Sequence, residues 1–230
     1  MPLVNPASSD QNINELAFAI REEKSNQYHT GILYKVGSNP TRISHLLWHL
    51  IFRDARAGGR FCWVDVQLPA LSKFSVISNC LRIANANQNG QIPYSIFYAR
   101  KKYFDPSSGV YNNRVIGFGL TCSTFILAVF EIMEIRLIKE ETWKWRWRDL
   151  WWQAKMIFSM YRKGADKKHL WELVRQIGCL RYKPEEVVAS GPVTKKPVSF
   201  EEMFQHSQNM LASLHQIQPK LPTFWGRIWA

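Results

Sequence analysis

The run Gly117-Phe118-Gly119-Leu120-Thr121-Cys122-Ser123-Thr124-Phe125-Ile126-Leu127-Ala128-Val129-Phe130 constrains this chain more than any other stretch. Two glycines in three residues interrupt regular structure. Thr121 can cap the helix that follows, which puts Cys122 at or near its first residue. Phe125, Ile126, Val129, Phe130 and Met133 recur at helical spacing, so a buried helix is expected from Cys122 to about Ile138. The apolar run 115–130 is shorter than a bilayer span, and Glu131, Glu134 and Arg136 follow it. It reads as a core helix and not as a membrane anchor. A thiol at a helix start feels the positive end of the dipole and the free N–H groups of the first turn, and both favour the nucleophilic thiolate. The same N–H groups can hold an oxyanion. The plainer reading is that Cys122 is a small buried side chain with no chemistry.

Around this helix the pattern is α+β. A short helix is expected over 14–24, and strands over 27–36, 42–50 and 61–68. The signal Gly37-Ser38-Asn39-Pro40 separates the first two strands, and a polar, glycine-containing turn is expected over 53–60. The three strands together suggest an antiparallel meander. Pro69 opens a helix to Ala84 with Leu71, Phe74, Ile77, Ser78 and Leu81 on one face. A short strand or extended segment is expected over 92–98, and a polar loop over 101–113 that can flank a cleft.

A second region begins near Lys139. Trp143, Trp145, Trp147, Trp151 and Trp152 alternate with Lys144, Arg146, Arg148 and Lys155. A helix is expected through Arg162, with Trp on the core side and Lys and Arg in solvent. A short helix over 169–178 presents Leu170, Leu173, Val174 and Ile177. Residues 184–197 read as a linker, and 200–214 as a helix capped by Ser199 with Glu202 in capping-box position. Residues 1–10 read as a loose lead-in, and 219–230 as a tail ending in Trp225, Gly226 and Trp229. The division is therefore a domain over 1–138 and a basic, mainly helical extension over 139–230, packed on or beside it.

The net charge of +12 points to an acidic partner: an acidic macromolecule, an anionic membrane surface or a nucleic acid. Four cysteines (62, 80, 122 and 179) and six histidines form no zinc-ligand spacing, so neither metal nor other cofactor is expected. Walker A and GxGxxG signatures are absent, which disfavours nucleotide enzymes. Met1 to Asp10 has neither a basic nor an apolar segment of the secretory kind, and the cytoplasm is the expected compartment.

A thiolate nucleophile needs a base within hydrogen-bond reach and a group that orients the base. His29 lies in the first expected strand and His45 in the second. A hairpin turning near 37–39 would place them roughly opposite one another, about 5 Å apart at Cβ. His49 lies on the same side of its strand as His45 and is an alternative. His169, His206 and His215 read as ordinary surface or core histidines.

The order of these residues carries a resemblance. His29-Thr-Gly-Ile opens one strand, His45-Leu46 falls in the next, and Cys122-Ser-Thr-Phe125 comes far downstream. This resembles the circularly permuted branch of the NlpC/P60 papain-like superfamily, which includes lecithin:retinol acyltransferase-like proteins and permuted bacterial amidases. Thr121 stands where the family often has Asn, and the hairpin is longer than in its acyltransferase members. The resemblance covers about 27–138. It implies a permuted papain-like fold, with an antiparallel sheet packed on a central helix that bears the Cys, and a C-terminal helical extension. It further implies Cys122 as nucleophile, His29 as general base, and His45 (or His49) as the orienting residue. The activity expected is that of a cysteine hydrolase acting through a thioester on an amide, peptide or isopeptide bond. A lipid-directed acyltransferase or phospholipase is the alternative, and a non-enzymatic basic binding module for nucleic acid or membrane is a third reading.

Overall fold

Five antiparallel strands carry the molecule: β1 (Leu16–Lys24), β2 (Gln27–Tyr34), β3 (Arg42–Trp48), β4 (Ile51–Arg56) and β5 (Cys62–Asp65), in the spatial order β4-β3-β2-β1-β5. The computed structural model describes residues 5, 13–24, 26–58, 61–88, 92–113 and 115–218. Six helices accompany the sheet: α1 (Ala70–Ala86), α2 (Cys122–Glu131), α3 (Trp147–Arg162), α4 (Lys167–Arg175), α5 (Pro184–Val188) and α6 (Phe200–Ile217). The class is α+β.

Two expectations about the sheet fail. The helix expected over 14–24 is strand β1, an inner strand of the sheet between β2 and β5. Leu16 to Ile20 is a continuous apolar run, and such a run suits a strand buried on both faces as well as a helix. Pairing with two neighbours decides it: Phe18 faces Ile32 on one side and Val64 on the other. The polar turn expected over 53–60 is largely strand β4, which pairs with β3 from Trp48↔Ile51 to Arg42↔Arg56. Its Arg53 and Arg56 lie on an edge, where charge discourages further strand addition. The chain then crosses to the other edge, so β5 lies beside β1 and does not continue a meander.

Helix α2 is the centre of the core. Every residue from Cys122 to Phe130 is buried. Phe130 meets Phe18 of β1 edge to face at 5.5 Å, and Phe125 meets Phe52 of β4 at 5.5 Å. The helix ends at Glu131, earlier than expected, where a turn leads to Glu134 in the left-handed region. Its start is as read from sequence. The Thr121 side chain accepts the Thr124 N–H at 3.1 Å, and the Thr121 N–H donates to Thr124 Oγ1 at 2.7 Å. Gly119 has a packing reason beyond chain breaking. A Cβ there would stand 2.2 Å from the Pro93 carbonyl oxygen, which lies against the approach to α2.

The segment 92–98 takes no strand and runs alongside Leu120, whose N–H donates to Pro93 O at 2.9 Å. The 101–113 loop supplies core: Tyr103 and Phe104 are fully buried. The expected linker 184–197 contains α5, which packs on α2, β1, β2 and α6. Helix α6 carries the expected cap, with Glu202 accepting the Ser199 N–H at 3.0 Å. The expected lead-in over 1–10 lies outside the described residues except for Asn5, which bridges to Trp63. The tail 219–230 lies outside them altogether.

Two amphipathic faces differ from expectation. On α1 the expected face buries Ile77 but leaves Leu71, Phe74 and Leu81 exposed, and Val76, Cys80 and Ile83 are buried beside Ile77. On α3 the inward residues include Asp149 and Gln153, and Trp147 and Trp151 point outward. Only Trp143 of the five tryptophans over 143–152 is fully in the core. The expectation that they would line the core with Lys and Arg outside is therefore corrected.

Candidate active site

Cys122 and His29 line one cleft, and His45 is joined to His29. Cys122 is the first residue of α2, and the cap at Thr121 fixes its position. His29 lies near the start of β2, and both residues line a cleft of about 440 Å³. His29 Nε2 and His45 Nδ1 are 2.9 Å apart, a buried hydrogen bond.

The register explains how two histidines sixteen positions apart come together. The β2–β3 ladder runs Tyr34↔Arg42, Leu33↔Ile43 and Ile32↔Ser44. Continued by one step, it sets His45 against Gly31, not against His29. The pair is thus diagonal, which two imidazoles can span. Gly31 makes the approach possible. A Cβ there would stand 2.8 Å from His45 Cβ and 2.9 Å from Ser44 O. Both rings lie beside Phe61, at 6.0 and 5.7 Å, and the Arg21 guanidinium lies over the Phe61 ring at 4.5 Å.

Cys122 comes up at the stretch of β2 that extends past its last β3 partner. There the backbone N–H of Thr30, the residue after His29, donates to the sulfur. The β2–β3 ladder ends at Ile32↔Ser44, beyond which β3 pairs with β4 alone, and this leaves the space open.

Gly31→Ala is expected to lower Tm through overpacking by about 1–3 kcal/mol. Thermal unfolding followed by circular dichroism checks this, and an unchanged Tm would mean that the strands separate there at no cost.

His49 is not part of this group. It lies in the turn between β3 and β4, where its Nδ1 accepts the Tyr94 N–H at 3.2 Å and its ring lies 4.9 Å from that of His169. Trp48↔Ile51 closes the strands into a tight turn, so the rise that would have carried His49 along beside His45 is lost. Of the two candidates for orienting residue, His45 is the one at His29. His169, read as ordinary, is a buried structural residue: Nδ1 accepts the Gly117 N–H at 3.2 Å, and Nε2 lies 2.8 Å from Tyr94 O.

Burial governs the charge state. Desolvation, with Arg21 second, pushes His29 well below the usual imidazole range. Desolvation, the neighbouring His29, Arg21 and Arg53 do the same to His45. Desolvation pushes the Cys122 thiol up to about 11, against the Thr30 and Ser123 N–H groups and Arg181, which favour the thiolate. The helix start therefore acts as expected, yet burial outweighs it. Burial thus favours the neutral thiol and the neutral imidazoles over the ion pair that the sequence suggests.

This has a consequence for stability. A histidine whose folded pKa is depressed binds more protons when unfolded, so stability is full above about pH 6.5 and falls as pH drops below that. Tm is expected to fall by about 5–10 °C between pH 7 and pH 4.5. His29→Gln/His45→Gln is expected to flatten that slope, and an equally steep slope in the double variant would place the sensitivity elsewhere.

Arg181 is a site residue that the sequence reading missed. It lines the cleft, stacks over Trp152 at 3.8 Å and donates to Asp149 Oδ1 at 3.2 Å. Arg146 completes the cluster, with Nε donating to Asp149 Oδ2 at 2.8 Å and Nη1 to Glu186. Nothing local marks Arg181, since its partners lie 29 or more positions earlier. Lys155 and Lys163 stand on the α3 wall of the same cleft. Among the described residues, no cluster of His, Cys, Asp or Glu suits a metal ion, and no helix is long and apolar enough to cross a membrane. No known family model matches the sequence, and no match is found among curated proteins or solved structures.

Proposed function

We propose that this chain is a cysteine-dependent enzyme that forms a thioester at Cys122, most simply a hydrolase of an amide, peptide or isopeptide bond. The observation that carries the reading is the 2.9 Å hydrogen bond between His45 Nδ1 and the Nε2 of His29, a residue that lines the same cleft as Cys122. The tautomers follow from the chemistry. With Nε2–H donated to His45, the Nδ1 lone pair of His29 is left to accept a proton. As Cys122 Sγ attacks the carbonyl carbon, its proton passes to His29. The imidazolium so formed is held by the neutral His45. The first-turn N–H groups at Cys122 and Ser123 suit the oxyanion. His29 then protonates the departing amine as the C–N bond breaks. Water attacks the thioester, His29 takes its proton, and the thiol is released.

The chain order His29, His45, Cys122, together with an antiparallel sheet packed against the helix that begins at the Cys, supports the permuted NlpC/P60 papain-like reading of the fold. A second reading, transfer of an acyl group to or from a lipid, is favoured by the basic cleft wall of Lys155, Lys163 and Arg181 and by the outward tryptophans of α3. The two readings share the thioester and differ in what resolves it. Intact-mass analysis after incubation with activated esters and amides tests the shared step. An adduct of one acyl group that is absent in Cys122→Ala supports it. No adduct with any acyl donor, in a protein whose Cys122 is nevertheless accessible to alkylation, counts against it.

A further inference from the structure

We infer that the outer face of α3 and α4 docks on an anionic lipid bilayer. Helix α3 is built inside out: Gln153 is 1% exposed and Asp149 is buried, while Trp151 is 77% exposed. The outward row is Trp147, Trp151, Ala154, Phe158 and Tyr161, at spacings of four, three, four and three. That is an apolar stripe along one side of a helix, exposed to solvent and bordered by α4. Helix α4 lies alongside and adds Trp171, 66% exposed, with Val174 and Ile177. Between the two helices runs an open apolar groove of about 510 Å³, with Lys167 at its edge.

Charge selects the occupant. Seven Lys or Arg residues fall within 147–175 against three acids. Each acid is already engaged. Asp149 pairs with Arg146 and Arg181, Asp166 accepts the His169 N–H at 3.0 Å, and Glu172 pairs with Arg175. With Lys155 and Lys163 on the cleft and Arg175 paired, the exposed cations left beside the tryptophan and tyrosine rings are Arg148, Arg162, Lys167 and Lys168. Amphipathic rings of this kind rest at the level of lipid headgroups, and the cations find anionic headgroups there. An acidic protein would satisfy the charge but has no need of four aromatic rings in a row along one helix. The inner side of the same helix lines the cleft through Trp152, Lys155 and Lys163. Docking by the outer side would hold the cleft wall within a helix diameter of the lipid. The inference itself needs no chemistry at Cys122.

Vesicle sedimentation with the full chain tests it, using phosphatidylcholine vesicles with and without phosphatidylserine. Wild type is expected to partition onto the serine-containing vesicles, less so at high salt and at least about tenfold less onto phosphatidylcholine alone. Trp151→Ser/Trp171→Ser and Lys167→Glu/Lys168→Glu are each expected to reduce partitioning by about tenfold or more. All four side chains are exposed, so an unchanged urea midpoint is expected to accompany the loss. Cys122→Ala is expected to bind as wild type does, which separates this inference from the proposed chemistry. Absence of binding by wild type, or equal binding by both surface variants, overturns it. So does sedimentation equilibrium showing a dimer that the tryptophan variant dissolves, because the stripe would then cover a second copy. Retention of single-stranded nucleic acid that depends on the same tryptophans, without vesicle binding, also overturns it.

Discussion

In His29→Ala, alkylation of Cys122 by iodoacetamide is expected to slow by about 10²–10⁴ at neutral pH. On the proposed mechanism, the neutral imidazole of wild type takes the thiol proton as sulfur attacks. The rate should therefore hold a plateau from the low pH at which His29 protonates up to the raised thiol pKa of about 11. Without His29, the only route is prior ionisation of a buried thiol, and the rate should rise about tenfold per pH unit across the neutral range. His45→Ala should keep the plateau but lower it, because the imidazolium loses its acceptor. A wild-type rate that rises steadily with pH and ignores His29 would show that Cys122 is only a buried side chain and would end the thioester proposal. The experiment needs no knowledge of the substrate.

The largest loss of stability is expected from Arg146→Ala. Its guanidinium lies between Asp149 and Glu186, carboxylates whose side chains are only 7% and 3% exposed, and Nη2 also donates to Arg181 O at 2.8 Å. Truncation leaves two buried carboxylates with Arg181 as the only cation in the cluster. Removing one member of such a group costs about 3–5 kcal/mol, because the remaining charge is neither solvated nor paired. Urea unfolding should show a lower midpoint at an unchanged slope. Arg146→Met, which keeps most of the volume, should lose nearly as much, since the missing interaction is charge and not packing. A loss below about 1 kcal/mol would mean that water reaches the carboxylates once the arginine is gone. The cluster also positions Arg181, which favours the Cys122 thiolate, so both variants are expected to lower the Cys122 alkylation plateau.

Local signals were legible wherever a few neighbouring residues settle the outcome. The Thr121 cap and the capping box at Ser199 and Glu202 are satisfied within one helical turn, and both are found in place. Strand β2 and the start of β3 follow from the turn at Gly37. Residues decided by partners far along the chain were read less well. The strand at Leu16–Ile20 depends on β2 and β5, and its own apolar run does not distinguish strand from helix. Strand β4 is polar because it is an edge, and polarity was read as a turn.

His29, His45 and Cys122 can be picked out from the sequence as the proposed nucleophile and its helpers, because their residue types and their order are visible in the chain. Sequence also determines the helix start that carries the thiol and the excess of basic charge. The choice of His45 over His49 belongs to the tertiary structure, since it turns on a diagonal contact over Gly31 and a tight turn at His49 and Leu50. Tertiary structure likewise placed Arg181 in the cleft and favoured the neutral thiol and imidazoles, because desolvation depends on what surrounds a group and not on its neighbours in the chain. It also turned the tryptophans of α3 outward. Periodicity identifies an apolar stripe on a helix, but only the packing of the other elements decides whether that stripe faces the core or the solvent.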